Sequence, residues 1–165
     1  MNLRRATISD VSLLIKLRMD FLNTYTGQLS DGEIRAIQPQ LSDYYIKHIP
    51  LGDFIAVIVE IDENVAATAF MTIEERPANT SYITGKTAMI HNVLTYPDYR
   101  RRGISSRILS ELIREAKNAD VSAIDLLAAE DAMPLYQKFG FTQPKNTYMR
   151  LKLNLADIGE NTNEF

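Results

Sequence analysis

Between residues 87 and 128 the hydrophobic period changes twice, and this constrains the fold more than any other feature of the chain. Residues 87–96 form a largely apolar run stopped by Pro97, which predicts a strand. Ile104, Ile108, Leu109, Leu112, Ile113 and Ala116 then share one face at 3.6-residue spacing, the pattern of a strongly amphipathic helix. Residues 123–128 return to a short apolar strand. Strands that enclose a crossover helix run parallel, so 87–128 reads as a βαβ unit.

The flanking segments add an antiparallel part. Residues 54–61 are a β-branched run, Asp62, Glu63 and Asn64 make a turn, and residues 65–73 resume as a second strand, which predicts a hairpin. Ahead of it, residues 2–6 suit a short strand, with Ser9 or Asp10 as a cap for the helix that follows. Val11, Leu14, Ile15, Leu17, Arg18, Phe21 and Leu22 give that helix a largely apolar stripe, ended by Gly27. Ile34, Ile37, Leu41, Tyr45 and Ile49 continue near helical spacing, but Pro39 predicts two short helices or one broken helix. Residues 77–86 read as a loop, 132–139 as a short helix with Pro134 in its first turn, and 140–153 as a final strand pair. The order predicts an α/β (α+β) domain and excludes a bundle or a sandwich.

A chain of 165 residues builds one core comfortably and two with difficulty. The expectation is one domain over 1–153 and a polar tail over 154–165. The absence of cysteine excludes disulfides, thiolate metal sites and a cysteine nucleophile. A net charge of −3 argues against nucleic acid as a partner. No apolar run reaches the roughly 18 residues that cross a bilayer, and the first residues lack the apolar centre of a signal peptide. A cytoplasmic protein with no membrane partner and no metal is expected.

The chemistry concentrates at Pro97-Asp98-Tyr99-Arg100-Arg101-Arg102-Gly103-Ile104-Ser105-Ser106, between a strand and the amphipathic helix. Such a junction aims free N–H groups and the positive end of the helix dipole at one point, where an anion, best a pyrophosphate, is the expected guest. Gly103 lets the backbone approach a ligand closely, and Ser105 and Ser106 keep the wall small. A solvated basic loop and a nucleic-acid patch are the competing readings. The spacing fits neither the Gly-x-x-x-x-Gly-Lys-Ser/Thr nor the Gly-x-Gly-x-x-Gly phosphate loop.

Arg100-Arg101-Arg102-Gly103-Ile104-Ser105 resembles the Arg/Gln-x-x-Gly-x-Gly/Ala signature of the GNAT superfamily of N-acetyltransferases, with Ser105 in place of the commoner Gly or Ala. Asn92-Val93-Leu94-Thr95-Tyr96-Pro97-Asp98-Tyr99 is similar to that family's fourth strand and its exit. Pro134-Leu135-Tyr136-Gln137-Lys138-Phe139-Gly140-Phe141 resembles its late helix, which ends in a Tyr followed by Gly-Phe. The resemblance spans roughly residues 2–153 and is sharp over 87–141. It implies a mixed, mostly antiparallel sheet of six to seven strands flanked by about four helices.

It also implies acetyl-CoA as cosubstrate, its pyrophosphate on the amides of Arg101, Arg102, Gly103, Ile104, Ser105 and Ser106, and its pantetheine arm beside Val93 and Leu94. The reaction implied is attack of a primary amine, on a small molecule or a peptide, on the thioester in a ternary complex. Tyr136 matches the position that returns a proton to the thiolate, and a phenol of pKa about 10 suits a thiolate near 8.5. His91 on the fourth strand and Glu75 (or its neighbour Glu74) at the end of the second hairpin strand are the candidate bases. Asp20, Tyr25, Asp31, Glu33, Tyr44 and Tyr45 are expected to border the acceptor as an acidic and aromatic wall for a cation. The alternative is an acyl-CoA-binding regulatory module without turnover. A homodimer is compatible with either.

Overall fold

A continuous buried run, rather than an alternating one, marks β2 (Phe54–Ile61), and the reason is that helices cover both faces of the sheet. In the computed structural model, which describes residues 1–145, 147–151 and 153, the chain divides into two units, Met1–Ala128 and Ala129–Phe165.

The first unit holds a five-stranded sheet in the order β1-β2-β3-β4-β5, with β1 at Asn2–Arg5, β3 at Asn64–Glu75, β4 at Lys86–Thr95 and β5 at Ala123–Leu126. Neighbours are antiparallel except β4 and β5, which are parallel, as the crossover requires. Asp62 and Glu63, both at positive φ, make the two-residue turn between β2 and β3, the twist that such a tight hairpin demands. Between β3 and β4 the Gly85 N–H and C=O face Tyr82 and Arg76. A Cβ on Gly85 would meet the Arg76 carbonyl oxygen at 2.8 Å, so no other residue fits there.

Helices α1 (Val11–Thr26) and α2 (Asp31–Leu51) cover one face. Leu14, Leu17, Leu41 and Tyr45 pack there on Phe54, Ala56, Ile58 and Phe70. Alternation along β2 turns Ile55, Val57 and Val59 to the other face, against which α3 (Ile104–Asn118) buries Ile104, Ile108, Leu109, Leu112 and Ala116. At ~25 cal/mol per Å², each of the Ile and Leu side chains contributes about 1.5–3 kcal/mol by leaving water. Arg4 fixes the start of α1, donating to Asp10 and to Glu60 at 2.9 Å each. The guanidinium holds both carboxyls below the usual carboxylate range. Neither Ser9 nor Asp10 caps the helix through its side chain; Asp10 instead accepts from the Thr7 N–H at 2.8 Å.

Two further expectations need correction. Pro39 does not break the second helical segment: α2 runs unbroken through it. A proline there removes one internal hydrogen bond. That loss is outweighed by the Ser30–Glu33 capping pair and by the buried Leu41 and Tyr45. The sheet has five strands, not six to seven, because the described residues of 140–153 form no strand. Met149, Leu151 and Leu153 alternate as a strand would, but all three are exposed, and a strand without a partner ladder has little to hold it.

The second unit contains a single turn at Glu130–Ala132 and α4 (Met133–Lys138), with Pro134 in its first turn. The expected tail at 154–165 lies outside the described residues. No described helix is long and apolar enough to cross a membrane, and no described His, Asp or Glu cluster has the makings of a metal site.

Candidate active site

The centre of the site is a bulge in β4. Phe70 pairs with His91 and Thr68 with Leu94, so two β3 steps are matched by three on β4. The extra residue is accommodated by Asn92 at φ 56°, a left-handed conformation that asparagine tolerates better than most side chains. A bulge of this kind brings consecutive side chains to one face. His91 and Asn92 accordingly both face α1, where Arg18 donates to the Asn92 Oδ1 at 3.2 Å.

Arg18, His91, Tyr44, Tyr45, Phe54 and Phe70 line a cavity of about 250 Å³, together with Gln40 and Leu41. Rings form much of the wall: Phe54 and Phe70 meet edge to face at 5.4 Å, and Tyr45 lies 4.9 Å from Phe54. Burial, and then the charge of Arg18, push the His91 imidazole down to about 4, so it is neutral at physiological pH. Burial likewise pulls the Arg18 guanidinium below its usual range. His91 Nε2 and Asn92 Nδ2 are buried without a hydrogen-bond partner among the described residues. Such orphaned atoms mark a place for water or ligand.

Beyond the bulge, β4 loses its neighbour. Strand β5 pairs with β4 only from Thr87 to Ile90, which leaves the stretch containing Val93 and Leu94 unpaired on that side among the described residues. The strand then runs into a single turn at Pro97–Tyr99 and the arginine loop. Arg100 Nε donates to the Thr95 carbonyl at 3.1 Å, and Arg102 donates to the Asp98 carbonyl at 2.8 Å while lying 5.6 Å from the Tyr99 ring. These guanidinium groups brace the loop from within. Arg101 and Gly103 take left-handed φ values of 62° and 73°. Gly103 is the residue before α3, no side chain caps that helix end, and a Cβ on Gly103 would meet nothing within 4 Å. Ile104 is buried and anchors the turn, and Ser105 and Thr95 join hydroxyls at 3.0 Å. The amides of Gly103, Ile104, Ser105 and Ser106 thus lie at an uncapped helix start with open space before it, a cradle that fits a pyrophosphate.

Of the other predicted residues in the first unit, Glu74 and Glu75 do not line the cavity. Glu75 is exposed at the end of β3, in register with Lys86, and five residues along from Phe70 it stands roughly 16 Å from the His91 level. Glu74 pairs with Arg76 at 3.1 Å. In the second unit Tyr136 is buried and meets the Phe141 ring at 6.0 Å. Of the expected acidic and aromatic wall, only Tyr44 and Tyr45 line the cavity. Asp20 instead accepts from Tyr96 and Lys16, Glu33 caps α2, and Tyr25 is exposed.

Sequence reasoning missed Arg18 and Asn92 as site residues. Both left a signal: an arginine inside an apolar helical stripe, and an asparagine inside an apolar strand.

Comparisons with known proteins agree with this geometry. The model of the acetyltransferase (GNAT) family matches residues 18–141. A segment of 77 residues is 29% identical to the uncharacterized N-acetyltransferase ycf52 of Pyropia yezoensis, covering 42% of this chain and 44% of that one. A segment of 57 residues is 33% identical to the Porphyra purpurea protein of the same name, covering 34% and 33%. The matched segments thus span less than half of these curated relatives. Among solved structures, a predicted acetyltransferase with acetyl-CoA from Clostridium acetobutylicum is 29% identical, with a TM-score of 0.80 over 94% of this chain and 97% of that one. A GCN5-related N-acetyltransferase from Ralstonia eutropha shares the fold at 20% identity, with a TM-score of 0.75 over 91% and 97%. With the family model matched over most of its length and with the sheet, bulge and open helix start described above, this chain belongs to the GNAT acetyltransferase family.

Proposed function

We propose that this protein transfers an acetyl group from acetyl-CoA to a primary amine bound in the cavity between α1, α2 and β4. One observation carries the reading: a single strand, β4, holds the bulged His91 and Asn92 at the cavity and ends in the open amide cradle at Gly103. The similarity to a Clostridium acetyltransferase whose structure is described with acetyl-CoA supports the choice of cosubstrate.

In this reading the amides of Arg101 to Ser106 hold the pyrophosphate, and the unpaired backbone at Val93 and Leu94 lies along the pantetheine arm. Acetyl-CoA supplies a thioester, whose C–S bond breaks as the new C–N bond forms, leaving CoA as the thiol. The chain's own residues manage the protons. The neutral imidazole of His91 accepts from the amine. A group held near 4 is a weak base, so its work is to orient the neutral amine, and the proton lost as the C–N bond forms goes to water. Glu75 does not line the cavity and His91 does, which supports His91 over Glu75 for this contact. Tyr136 donates to the departing thiolate. Arg18 disfavours a second positive charge beside it, which favours the neutral, nucleophilic form of the amine.

A rival reading, acyl-CoA binding without turnover, draws on one specific observation: no carboxylate lines the cavity among the described residues. Calorimetric titration with acetyl-CoA followed by a thiol-release assay over an amine panel separates the two. Micromolar binding with release is expected. Binding without release from any amine would favour the rival, and no binding would defeat both.

A further inference from the structure

The cavity carries a positive charge and no negative one. Arg18 is half-buried among aromatic rings, and among the described residues its one hydrogen bond to a side chain goes to the neutral amide oxygen of Asn92. Among the described residues no carboxylate lies within ion-pair distance of it, whereas Arg4, also part-buried, is paired with both Asp10 and Glu60. A guanidinium has five N–H donors in a planar fork, and one that is removed from water without a counter-charge is costly unless a ligand supplies it. His91 Nε2 is unpartnered as well.

We propose that the acceptor is an anionic amine: a small molecule whose carboxylate or phosphate pairs with Arg18 while its amine meets His91. The inference deepens the transferase reading above and rests on it. The arrangement is consistent on three counts. The fork of Arg18 suits bidentate binding of either anion. A cavity of about 250 Å³ corresponds to roughly eight waters, enough for a compact acceptor and too small for a folded partner. The walls, Phe54, Phe70, Tyr44 and Tyr45, suit an apolar or ring-bearing body between the two polar ends. The charge pattern is opposite to that needed for a polyamine, whose second cation would face Arg18.

Matched amines test this. Thiol release is measured with phenylalanine against phenethylamine, which lacks the carboxylate, and with O-phosphoethanolamine against ethanolamine, which lacks the phosphate. At least one anionic member is expected to exceed its neutral partner tenfold or more in kcat/KM, and the pair that shows it names the anion. Arg18→Gln is expected to bring that ratio to within about twofold, and Arg18→Lys to restore part of it, with acetyl-CoA affinity retained in both as evidence of folding. Equal or better use of the neutral amines, or an unchanged ratio in Arg18→Gln, overturns the proposal while leaving the transferase reading intact. Should no amine be acetylated, direct calorimetry with the two anionic amines decides: binding that Arg18→Gln abolishes keeps the anion site and removes the transferase reading, and no binding removes both.

Discussion

Arg18 on α1 and Asn92 on β4 are joined by a 3.2 Å hydrogen bond, and Asn92 holds a left-handed backbone at the point where it receives that bond. The contact therefore does two jobs. It ties the first helix to the strand, and it stabilises the bulge that brings His91 to the cavity.

Replacing Asn92 should separate those jobs. Asn92→Gly keeps the backbone conformation but loses the hydrogen bond, for an expected loss of ~1 kcal/mol. Asn92→Val loses the bond and also places a β-branched residue at positive φ, for an expected loss of ~3 kcal/mol or more. Urea unfolding midpoints measure both. Equal effects of the two would mean that the backbone conformation contributes little.

The arginine loop yields a paired prediction. Gly103→Ala introduces a Cβ that meets nothing within 4 Å, so the variant should fold with a backbone strain of about 1–2 kcal/mol and keep acetyl-CoA affinity within a few-fold. Gly103→Glu places bulk and negative charge before the cradle and should weaken acetyl-CoA at least tenfold. Calorimetry on both variants checks this; normal binding by a folded Gly103→Glu would remove the loop from the site.

Tyr136→Phe keeps the ring that packs on Phe141 and deletes only the hydroxyl. Turnover should fall roughly 10- to 100-fold, at the low end for a proton donor because a thiolate leaves readily. Acetyl-CoA affinity should stay within about twofold. A collapse of affinity instead would make Tyr136 a packing residue.

His91 gives a pH dependence whose sign follows from its depressed proton affinity. The unfolded chain protonates this side chain near 6.5 and the folded chain only at about 4. Between those values the unfolded state binds more protons, so the stability contributed by His91 is complete above 6.5 and lost as the pH falls toward 4. His91→Gln should lose less stability than the parent between pH values near 7 and near 5, by ~1–2 kcal/mol after discounting for partial exposure. Parallel unfolding curves for the two proteins would show that the imidazole titrates normally.

Much of this architecture was legible in the residues because it depends on periodicity. The α3 face from Ile104 to Ala116 and the β2–β3 hairpin each express a pattern that only one element satisfies. The α2 helix was misread at Pro39 because a local rule about one hydrogen bond was weighed without the tertiary burial of Leu41 and Tyr45 that overrides it. The strand expected near Met149 failed for the opposite reason: alternation existed, but pairing did not. The uncapped start of α3 after Gly103 was legible because the strand end, the glycine and the helix face are contiguous in the chain. The cavity was not, because Arg18 and Asn92 are 74 residues apart and only the bulge makes them neighbours.

That bulge also acts as a parity switch. Side chains on a strand alternate faces, so three β4 steps would ordinarily place His91 and Leu94 on opposite sides. Because those three steps are matched by two on β3, His91 and Leu94 share a face, and Thr95 turns to the other side, where it meets Ser105 of α3. Removing one residue at position 92 would restore ordinary alternation and force a choice: His91 could face the cavity or Thr95 could face α3, but not both. The single inserted residue is what lets one strand present His91 to the cavity on one surface of the sheet and Thr95 to the start of α3 on the other.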